Sequence, residues 1–288
     1  MTSAISIGKQ DFASLRENHY FYVDKTDFIR QWWESGDDIT LITRPRRFGK
    51  TLNMSMLNCF FSRQYAEKGT IFEGLSIWKQ EKYRRLQGTY PVIFLSFADV
   101  KQNNYQDAVQ KIKNIIVDAY RQHRYLEQEE CFTQNEKQQM LEITEKMSDV
   151  TAQDALKNLS SYLNLLYGKK VLIFLDEYDT PMQEAYIHGY WGEFAGFMRS
   201  LFNATFKTNP YLERAVMTGI TRISKESVFS DLNNLTVITT TSDAYADCFG
   251  FTEEEVFQSL DQFGMPEKKD LVKPVSYTHL RAHETGRN

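Results

Sequence analysis

Cysteine is scarce in this sequence: Cys59, Cys131 and Cys248 are the three in 288 residues, and they lie far apart. An odd number with no C-x-x-C pair provides neither a disulfide framework nor a zinc-binding pattern. Such cysteine usage is typical of proteins in a reducing compartment. We therefore expect a cytoplasmic protein.

Long apolar runs and an excess of positive charge are also missing. No segment approaches the length of a membrane span, and the start, MTSAISIGKQDF, lacks the apolar run of a signal peptide. The formal net charge of -4 excludes a chain that coats nucleic acid by charge alone. A hydrophobic content of 42% and a charged content of 25% allow one large α/β domain or two small ones. We expect no contact with a membrane.

Apolar runs rich in β-branched residues alternate with segments of helical periodicity, which predicts an α/β fold with a mostly parallel sheet. The predicted strands are 38–43, 91–97, 170–179, 214–220 and 235–241. Helices are predicted at 51–61, at 191–206 and, with breaks near Phe132 and Ser148, across 105–167. A last helix should begin after Thr252, because Thr252 and Glu255 form a capping-box pattern.

The end of the chain, PVSYTHLRAHETGRN (274–288), carries neither helical nor strand periodicity. It resembles translated adapter or vector sequence, so we interpret it as a non-native tail and exclude it from the fold. We expect the natural gene to continue beyond Lys273. Deleting the tail should leave the melting temperature nearly unchanged, because no buried backbone would be lost.

The stretch TRPRRFGKT follows the first predicted strand and ends like a phosphate-binding loop, with Gly49, Lys50 and Thr51 in the order of G-x-x-x-x-G-K-[ST]. In such a loop, backbone N–H groups surround the β-phosphate and the lysine reaches the β- and γ-phosphate oxygens. The hydroxyl after the lysine ligates magnesium. The closest approach of the backbone falls at the glycine before the lysine.

The beginning of the same stretch departs from the motif, because Arg44 stands where the first glycine is expected. Another turn can replace that glycine, and Pro45 offers one by fixing its own φ. The alternative interpretation is a solvated basic loop ahead of a helix, with Thr51 near the N-cap. Short motif matches recur by accident, so the loop needs support from elsewhere in the sequence.

That support comes from VLIFLDEYD, a buried strand that ends in carboxylates. Asp176 can hold magnesium through water, and Glu177 can orient the attacking water. Because side chains alternate along a strand, we expect Glu177 to project differently from Asp176 and nearer the γ-phosphate. The alternative is a strand end whose carboxylates face solvent. The adjacent glutamate favours an ATPase over a kinase, and the absence of Asn-Lys-x-Asp favours adenine over guanine.

A third segment, VMTGITRIS, fits the same scheme. In ATPases with an extra strand between the loop strand and the acidic strand, the end of the extra strand presents a polar γ-phosphate sensor. Thr218 can take that position, and Arg222 can neutralise the charge of the γ-phosphate. The alternative is a strand-to-loop transition with a surface arginine.

An aromatic cluster at HYFYVDKTDFIRQWW (19–33) has two interpretations. It could cover an adenine ring by stacking, or its rings could pack on the sheet. Lys25 within it is either a nucleotide contact or a turn residue ahead of a helix. The four aromatic residues concerned are Tyr20, Tyr22, Phe28 and Trp32.

Several strings occur in the order that one known family shows: YFYVDKTDFI, LITRPRRFGKTLNMSML, LIFLDEYDTP, TGITRISKESVFSDLNNL and FGFTEEEV. Together they resemble the AAA-ATPase-like family of bacterial proteins, from about Ile7 to Phe263. The R-P-R-R-F-G-K-T loop is similar to the family's own loop, so the resemblance accounts for the missing glycine. It implies a P-loop NTPase fold of the additional-strand type. It also implies the loop and acidic-motif roles for Lys50, Thr51, Asp176 and Glu177.

The complete predicted site binds ATP and Mg²⁺ with the following residues. The predicted catalytic residues are Glu177, Lys50 and Arg222. The predicted nucleotide-binding residues are Arg46, Arg47, Phe48, Gly49, Lys50, Thr51, Leu52 and Thr218. The predicted metal ligands are Thr51 and Asp176.

We predict a P-loop domain at residues 1–249 and the start of a helical lid at 250–273. The predicted function is Mg-dependent ATP binding with hydrolysis that drives a conformational change, acting on a protein or nucleic-acid partner that the sequence does not define. One alternative is an ATP-binding switch that is catalytically weak. Many members of the family carry a PD-(D/E)XK nuclease-like domain after the ATPase. The other alternative is therefore a regulatory module whose nuclease is missing from this truncated chain.

Overall fold

The computed structural model describes residues 4–221, 228–229 and 232–272. Its centre is a five-stranded sheet in the order β2-β3-β4-β1-β5, in which every neighbouring pair is parallel. The strands are β1 (Ile39–Thr43), β2 (Val92–Ser96), β3 (Val171–Asp176), β4 (Leu212–Gly219) and β5 (Leu235–Ile238). This confirms the predicted α/β class and all five predicted strands. β3 and β5 end three residues earlier than predicted, at 176 and 238.

Helices and short helical turns connect the strands. The α-helices are α1 (Phe12–Glu17), α2 (Asp27–Ser35), α3 (Lys50–Phe61), α4 (Glu81–Leu86), α5 (Tyr105–Gln122), α6 (Gln134–Leu141), α7 (Asp149–Tyr167), α8 (Thr180–Ile187), α9 (Trp191–Phe202) and α10 (Glu253–Gln262). Turns of 3₁₀ helix cover Arg63–Phe72, Ser76–Lys79, Arg124–Gln128 and Pro266–Lys268, and a π-helical turn, Asn203–Lys207, extends α9.

The predicted helix boundaries are confirmed where capping residues marked them. Ser148 caps α7 with its side chain, at the break expected near that residue. The capping box of Thr252 and Glu255 starts α10 with both of its reciprocal hydrogen bonds. Side chains that accept a first-turn N–H are the usual start signal of a helix, which is why the start of α10 could be located from sequence.

The sheet is covered on both faces, and the strand residues alternate between two cores. In β3, Ile173 and Leu175 belong to the core formed with α5, α7 and α9, whereas Leu172 and Phe174 belong to the core formed with α1, α2 and α3. All six residues of β3 and all five of β1 are buried. Strands buried on both faces read as largely apolar runs, as both of these do apart from the buried Thr40, Thr43 and Asp176.

The strand order brings three loops to one edge of the sheet. β4 lies between β1 and β3, the position expected for the strand that carries Thr218. Because the strands are parallel, their carboxyl ends meet at the same edge, where ligands bind in open α/β sheets. The predicted tail, 274–288, lies outside the described residues. In the part of the chain that the structure describes, every helix is too short or too polar to cross a membrane.

Candidate nucleotide-binding site

The loop between β1 and α3 reverses the chain with two left-handed residues, Arg47 (φ 69°) and Gly49 (φ 76°). The second is the N-cap of α3, and no side chain of the described residues caps this helix. The first N–H groups of a helix have no partner within the helix, so those of α3 are available to an anion. The glycine is at the position where the sequence motif requires it, and its left-handed backbone is strained for other residues.

Arg44, which replaces the first glycine of the motif, is buried. Its backbone N–H donates to the carbonyl of Gly219 (3.1 Å), which continues the β1–β4 pairing by one residue. Its Nη1 donates to the carbonyls of Thr43 (3.1 Å) and Ile238 (3.4 Å), and its guanidinium lies 5.4 Å from the ring centroid of Phe249. Burial lowers the pKa of Arg44. A buried arginine therefore fixes the loop's exit from the sheet, and no turn at Pro45 carries that role alone.

Lys50 is 6% exposed, and its ammonium donates to the carbonyls of Arg44 and Pro45, both at 3.0 Å. Burial lowers the pKa of Lys50, and nearby negative charge opposes that shift. The carboxylates responsible are Asp176, Glu177 and Asp179. The lysine thus lies inside its own loop and close to the acidic end of β3, without a salt bridge to a described residue.

The other predicted loop residues surround this lysine. Arg46 and Arg47 are exposed and form no ion pair within the described residues. Thr51 follows the lysine in the first turn of α3 and is half-buried. The carbonyl of Phe48 accepts the N–H of Gly250 at 3.1 Å. A Cβ on that glycine would come within 3.0 Å of the Phe48 ring, so the segment before α10 packs closely on the loop.

The structure brings Asp176 and Thr218 together. Asp176 is the last residue of β3 and is 1% exposed, and the hydroxyl of the buried Thr218 donates to its Oδ1. Its other carboxylate oxygen accepts no hydrogen bond from a described residue. The end of the acidic strand and the end of the neighbouring strand are therefore joined through the two predicted polar residues.

Glu177 lies beyond the strand, in the left-handed region (φ 53°), and its Oε2 accepts the Thr180 hydroxyl at 3.1 Å. The prediction that strand alternation directs this side chain is wrong, because β3 has already ended at Asp176. A turn directs it instead. A left-handed conformation costs a non-glycine residue about 1–2 kcal/mol, so the surrounding contacts must impose it.

Asp179 is a polar residue of this edge that the sequence analysis did not select. It is 1% exposed, and its Oδ2 accepts the backbone N–H groups of Ile220 (2.9 Å) and Thr221 (2.8 Å) and the Thr221 hydroxyl (2.9 Å). By sequence it is an ordinary N-cap of α8 ahead of Thr180 and Pro181, but its side chain makes no capping bond. Arg222, the remaining predicted site residue, lies outside the described residues.

A cavity of 410 Å³ lies beside the loop. Its walls include Phe48 and Leu52 from the loop and α3, Phe21 and Tyr22 from the amino-terminal segment, and Leu260 and Phe263 from α10. A mostly apolar cleft of this size is typical of a small-molecule site. The aromatic cluster of the sequence is thus divided between two environments. Phe28 and Trp32 are wholly buried in the core, as the packing interpretation predicts, whereas Tyr22 reaches the cavity.

Lys25 links two walls of this cavity. It is 8% exposed, and its ammonium contacts both carboxylate oxygens of Glu255 at 2.6 Å and donates to the Asp247 carbonyl at 2.6 Å. The same carboxylate accepts the N–H of Thr252 in the capping box of α10. An ion pair therefore joins the segment ahead of α2 to the start of α10, which neither interpretation of the sequence expected.

Comparisons with known proteins give the family of the chain. A family model described as "Predicted AAA-ATPase" matches residues 6–229. A protein described as "Uncharacterized protein in vnfD 5'region", from Azotobacter chroococcum mcd 1, is 29% identical over 254 residues, which are 88% of this chain and 44% of that protein. The chain thus spans less than half the length of that relative. No solved structure matches the present chain. Since the family model covers most of the chain, from before α1 to beyond β4, the chain belongs to the AAA-ATPase-like family.

Proposed function

We propose that this protein binds Mg·ATP at the loop after β1 and hydrolyses it, and that the reaction drives a conformational change. One observation carries the proposal. The buried ammonium of Lys50 donates to two carbonyls of its own loop, at the start of α3, which no described side chain caps. The carboxylates at the end of β3 are close enough for their charge to oppose the lowering of its pKa by burial. A buried cation whose hydrogen bonds go only to neutral carbonyls is stabilised strongly when an anion binds beside it, because its charge then has an opposite partner.

The phosphates of ATP would lie at the start of α3. Lys50 would exchange the carbonyls of Arg44 and Pro45 for β- and γ-phosphate oxygens, and the free N–H groups of the first turn would surround the β-phosphate. The exposed side chains of Arg46 and Arg47 add positive charge on the same loop. The bound anion would thereby give these cationic side chains and N–H donors a negatively charged partner, which they lack within the described residues.

The donor set at this edge fits Mg²⁺, which prefers oxygen ligands and retains several waters. The hydroxyl of Thr51 and the second carboxylate oxygen of Asp176, which accepts no hydrogen bond from a described residue, would hold the ion, the latter through water. Bound Mg²⁺ would offset the negative charge of the β- and γ-phosphates. Thr218 donates its single O–H to the carboxylate of Asp176, so to sense the γ-phosphate it would have to turn that O–H toward a phosphate oxygen.

Glu177 would act on the attacking water. Its carboxylate accepts the proton of a water whose oxygen attacks the γ-phosphorus. The bond to the β–γ bridging oxygen breaks, and ADP and phosphate leave. The order β3-β4-β1 supports the additional-strand class of P-loop ATPases, in which the acidic strand is separated from the loop strand. Arg222 remains the arginine predicted to neutralise γ-phosphate charge.

The adenine ring would occupy the 410 Å³ cavity, against the rings of Phe48 and Tyr22. In this arrangement α10 covers the base, which supports a division into a P-loop domain at 1–249 and the start of a lid at 250–273. The lid would report the state of the nucleotide to the rest of the protein. The relative is more than twice as long as the matched region. The second candidate function is therefore that this chain regulates a domain attached to it.

Two measurements on one preparation test the proposal. Titration calorimetry with Mg·ATP, Mg·ADP and Mg·GTP should show binding that prefers adenine and weakens when EDTA removes the metal. Phosphate release should exceed the background set by Lys50→Ala. Absence of nucleotide binding would overturn the proposal. Binding without phosphate release would replace the enzyme with an ATP-binding switch.

A further inference from the structure

The turn after β3 and the end of β4 are joined by more hydrogen bonds than strand pairing requires. The N–H of Tyr178 donates to the Thr218 carbonyl (3.0 Å), and its hydroxyl donates to the Thr221 carbonyl (2.8 Å). The Asp179 side chain accepts three hydrogen bonds from residues 220 and 221. We refer to residues 178–179 and 218–221 as the strand-end clamp.

Asp179 is the centre of this clamp. Four donors converge on its Oδ2, because Gln183 of α8 adds its Nε2 at 2.8 Å to the three donors from the end of β4. The hydrogen bonds of a carboxylate are charge-assisted and stronger than those of a neutral acceptor. With its Oδ2 fully used within the protein, this carboxylate is suited to hold backbone in place and less suited to hold a metal ion.

Gly219 shows how closely the two segments approach. A Cβ at this position would lie 2.6 Å from Oδ1 of Asp179 and 2.6 Å from Cε1 of Tyr178. Neither neighbour can move away easily, since both side chains are buried and hydrogen-bonded. The glycine is therefore required for close contact, and the clamp leaves no room for an alternative arrangement of these side chains.

Glu177 lies between the anchored residues. Asp176 before it is held by the Thr218 hydroxyl and by the N–H of Phe97, which donates to its carbonyl at 2.9 Å. Tyr178 after it is held by the clamp. Because both neighbours are fixed, the backbone at Glu177 has to bridge them, and it does so in the left-handed conformation (φ 53°). The direction of its side chain then follows from the clamp.

We propose that Asp179 is a positioning residue for hydrolysis: it holds the strand-end clamp, and through the clamp it aims the carboxylate of Glu177 at the attacking water. This inference rests on the proposed function. A displacement of a catalytic group by about 1 Å can lower a rate about 10²-fold, so releasing the clamp should lower kcat. Nucleotide affinity is expected to depend mainly on the loop after β1. Within the described residues the clamp hydrogen-bonds to this loop through the Gly219 carbonyl, and the charge of Asp179 also acts on Lys50.

The test compares Asp179→Asn with Glu136→Gln, which makes the same carboxylate-to-amide change in the capping box of α6. Binding of Mg·ATP, kcat, KM and the melting temperature are measured for both and for the wild type. We expect Asp179→Asn to lower kcat at least about tenfold while Kd stays within about threefold of the wild type. Glu136→Gln should leave kcat unchanged. Equal kcat values in wild type and Asp179→Asn would overturn the inference.

A second pair of variants keeps the test informative if Asp179→Asn folds poorly. Thr221→Val removes one of the four donors to Asp179 and leaves the carboxylate, whereas Thr221→Ser keeps the hydroxyl. We expect a several-fold loss of kcat in the valine variant and recovery in the serine variant, at unchanged Kd. Equal loss in both would overturn the inference. A wild type that binds ATP without turnover would overturn it too, and a wild type that binds no nucleotide would instead refute the proposed function.

Discussion

Two segments at the carboxyl edge of the sheet, the loop 44–49 after β1 and the turn 177–179 after β3, are alike in outline and opposite in construction. Each follows a fully buried strand. Each contains a non-glycine residue in the left-handed conformation, Arg47 in one and Glu177 in the other. They differ in how many contacts hold them.

The loop after β1 is anchored at its two ends and open between them. Arg44 fixes its start to β4 and β5, and Phe48 fixes its end to Gly250. Between these points Arg46 is exposed. The ammonium of Lys50, which follows the loop, donates to the carbonyls of Arg44 and Pro45, and phosphate oxygens could replace these carbonyls as acceptors. A segment of this kind can adapt to the charge of a ligand.

The turn after β3 is held along its whole length. Tyr178 hydrogen-bonds to Thr218 and Asp179 to Ile220 and Thr221, and Gly219 leaves little space between the segments. The difference indicates a division of labour in the proposed ATPase. In that ATPase the phosphates would bind to groups of the loop after β1 that can rearrange. The attacking water would be oriented by the carboxylate of Glu177, whose direction is set before the nucleotide binds.

The largest effect is expected from Glu177→Gln, which keeps the size of the side chain and removes its basicity. Hydrolysis should fall by about 10²–10⁴-fold, the usual contribution of a positioned general base. Nucleotide affinity should change little, because this carboxylate is not proposed to touch the phosphates or the metal. Phosphate release at saturating Mg·ATP and titration calorimetry measure the two quantities.

Asp176→Asn is the matched comparison for that variant, one residue earlier in the chain. It should weaken Mg-dependent binding as well as turnover, since Asp176 is the proposed metal ligand. Equal turnover in wild type and Glu177→Gln, well above background, would contradict the role assigned to Glu177.

Removal of the ammonium by Lys50→Ala should affect binding in the adaptable loop. The lost charge-assisted contact to phosphate is worth about 1.5–3 kcal/mol, so ATP affinity should fall by about an order of magnitude or more. The fold should persist, because the ammonium hydrogen-bonds only to carbonyls of its own loop within the described residues. Circular dichroism checks the fold and calorimetry the affinity. Unchanged affinity in a folded variant would refute the loop assignment.

A smaller effect is expected from Lys25→Met, which breaks the ion pair across the cavity. Loss of one partner of a buried pair costs about 3–5 kcal/mol. Glu255 is 21% exposed, so we expect a loss of about 1–3 kcal/mol in the free energy of unfolding. ATP affinity should fall several-fold as α10 loosens. Glu254→Gln, an exposed change on the same helix, is the control, and urea unfolding with calorimetry the measurement.

The smallest effect is expected from pH. Burial lowers the pKa of Lys50 from the ordinary value of 10.5, and phosphate binding favours the protonated form. ATP affinity should therefore be constant near neutral pH and fall as the pH rises through the lowered pKa, before an ordinary lysine would lose its proton. Titrations between pH 7 and pH 10 test this, with Lys50→Ala as the reference. An equal slope in that variant would assign the pH dependence to another group.

Much of this edge could be predicted from the sequence. The largely apolar runs located all five strands, because strand residues that pack on the two cores are mostly apolar. Gly49, Lys50 and Thr51 could be placed at the start of a helix, because the motif specifies both the turn and the side chains. Asp176 and Thr218 could be expected near one another, since the carboxyl ends of parallel strands meet at one edge.

The sequence by itself determined where the five strands lie to within a few residues, where α10 begins and which segment carries the phosphate-loop motif, since each depends on neighbours along the chain. Only the tertiary structure decided the contacts of Arg44, Lys25 and Asp179, because each has partners far away in the sequence, at separations from 41 to 230 positions. It also decided the direction of Glu177. Local pattern predicted strand alternation there. Instead, next to the end of β4, Glu177 adopts a left-handed turn, a conformation that the local sequence by itself disfavours.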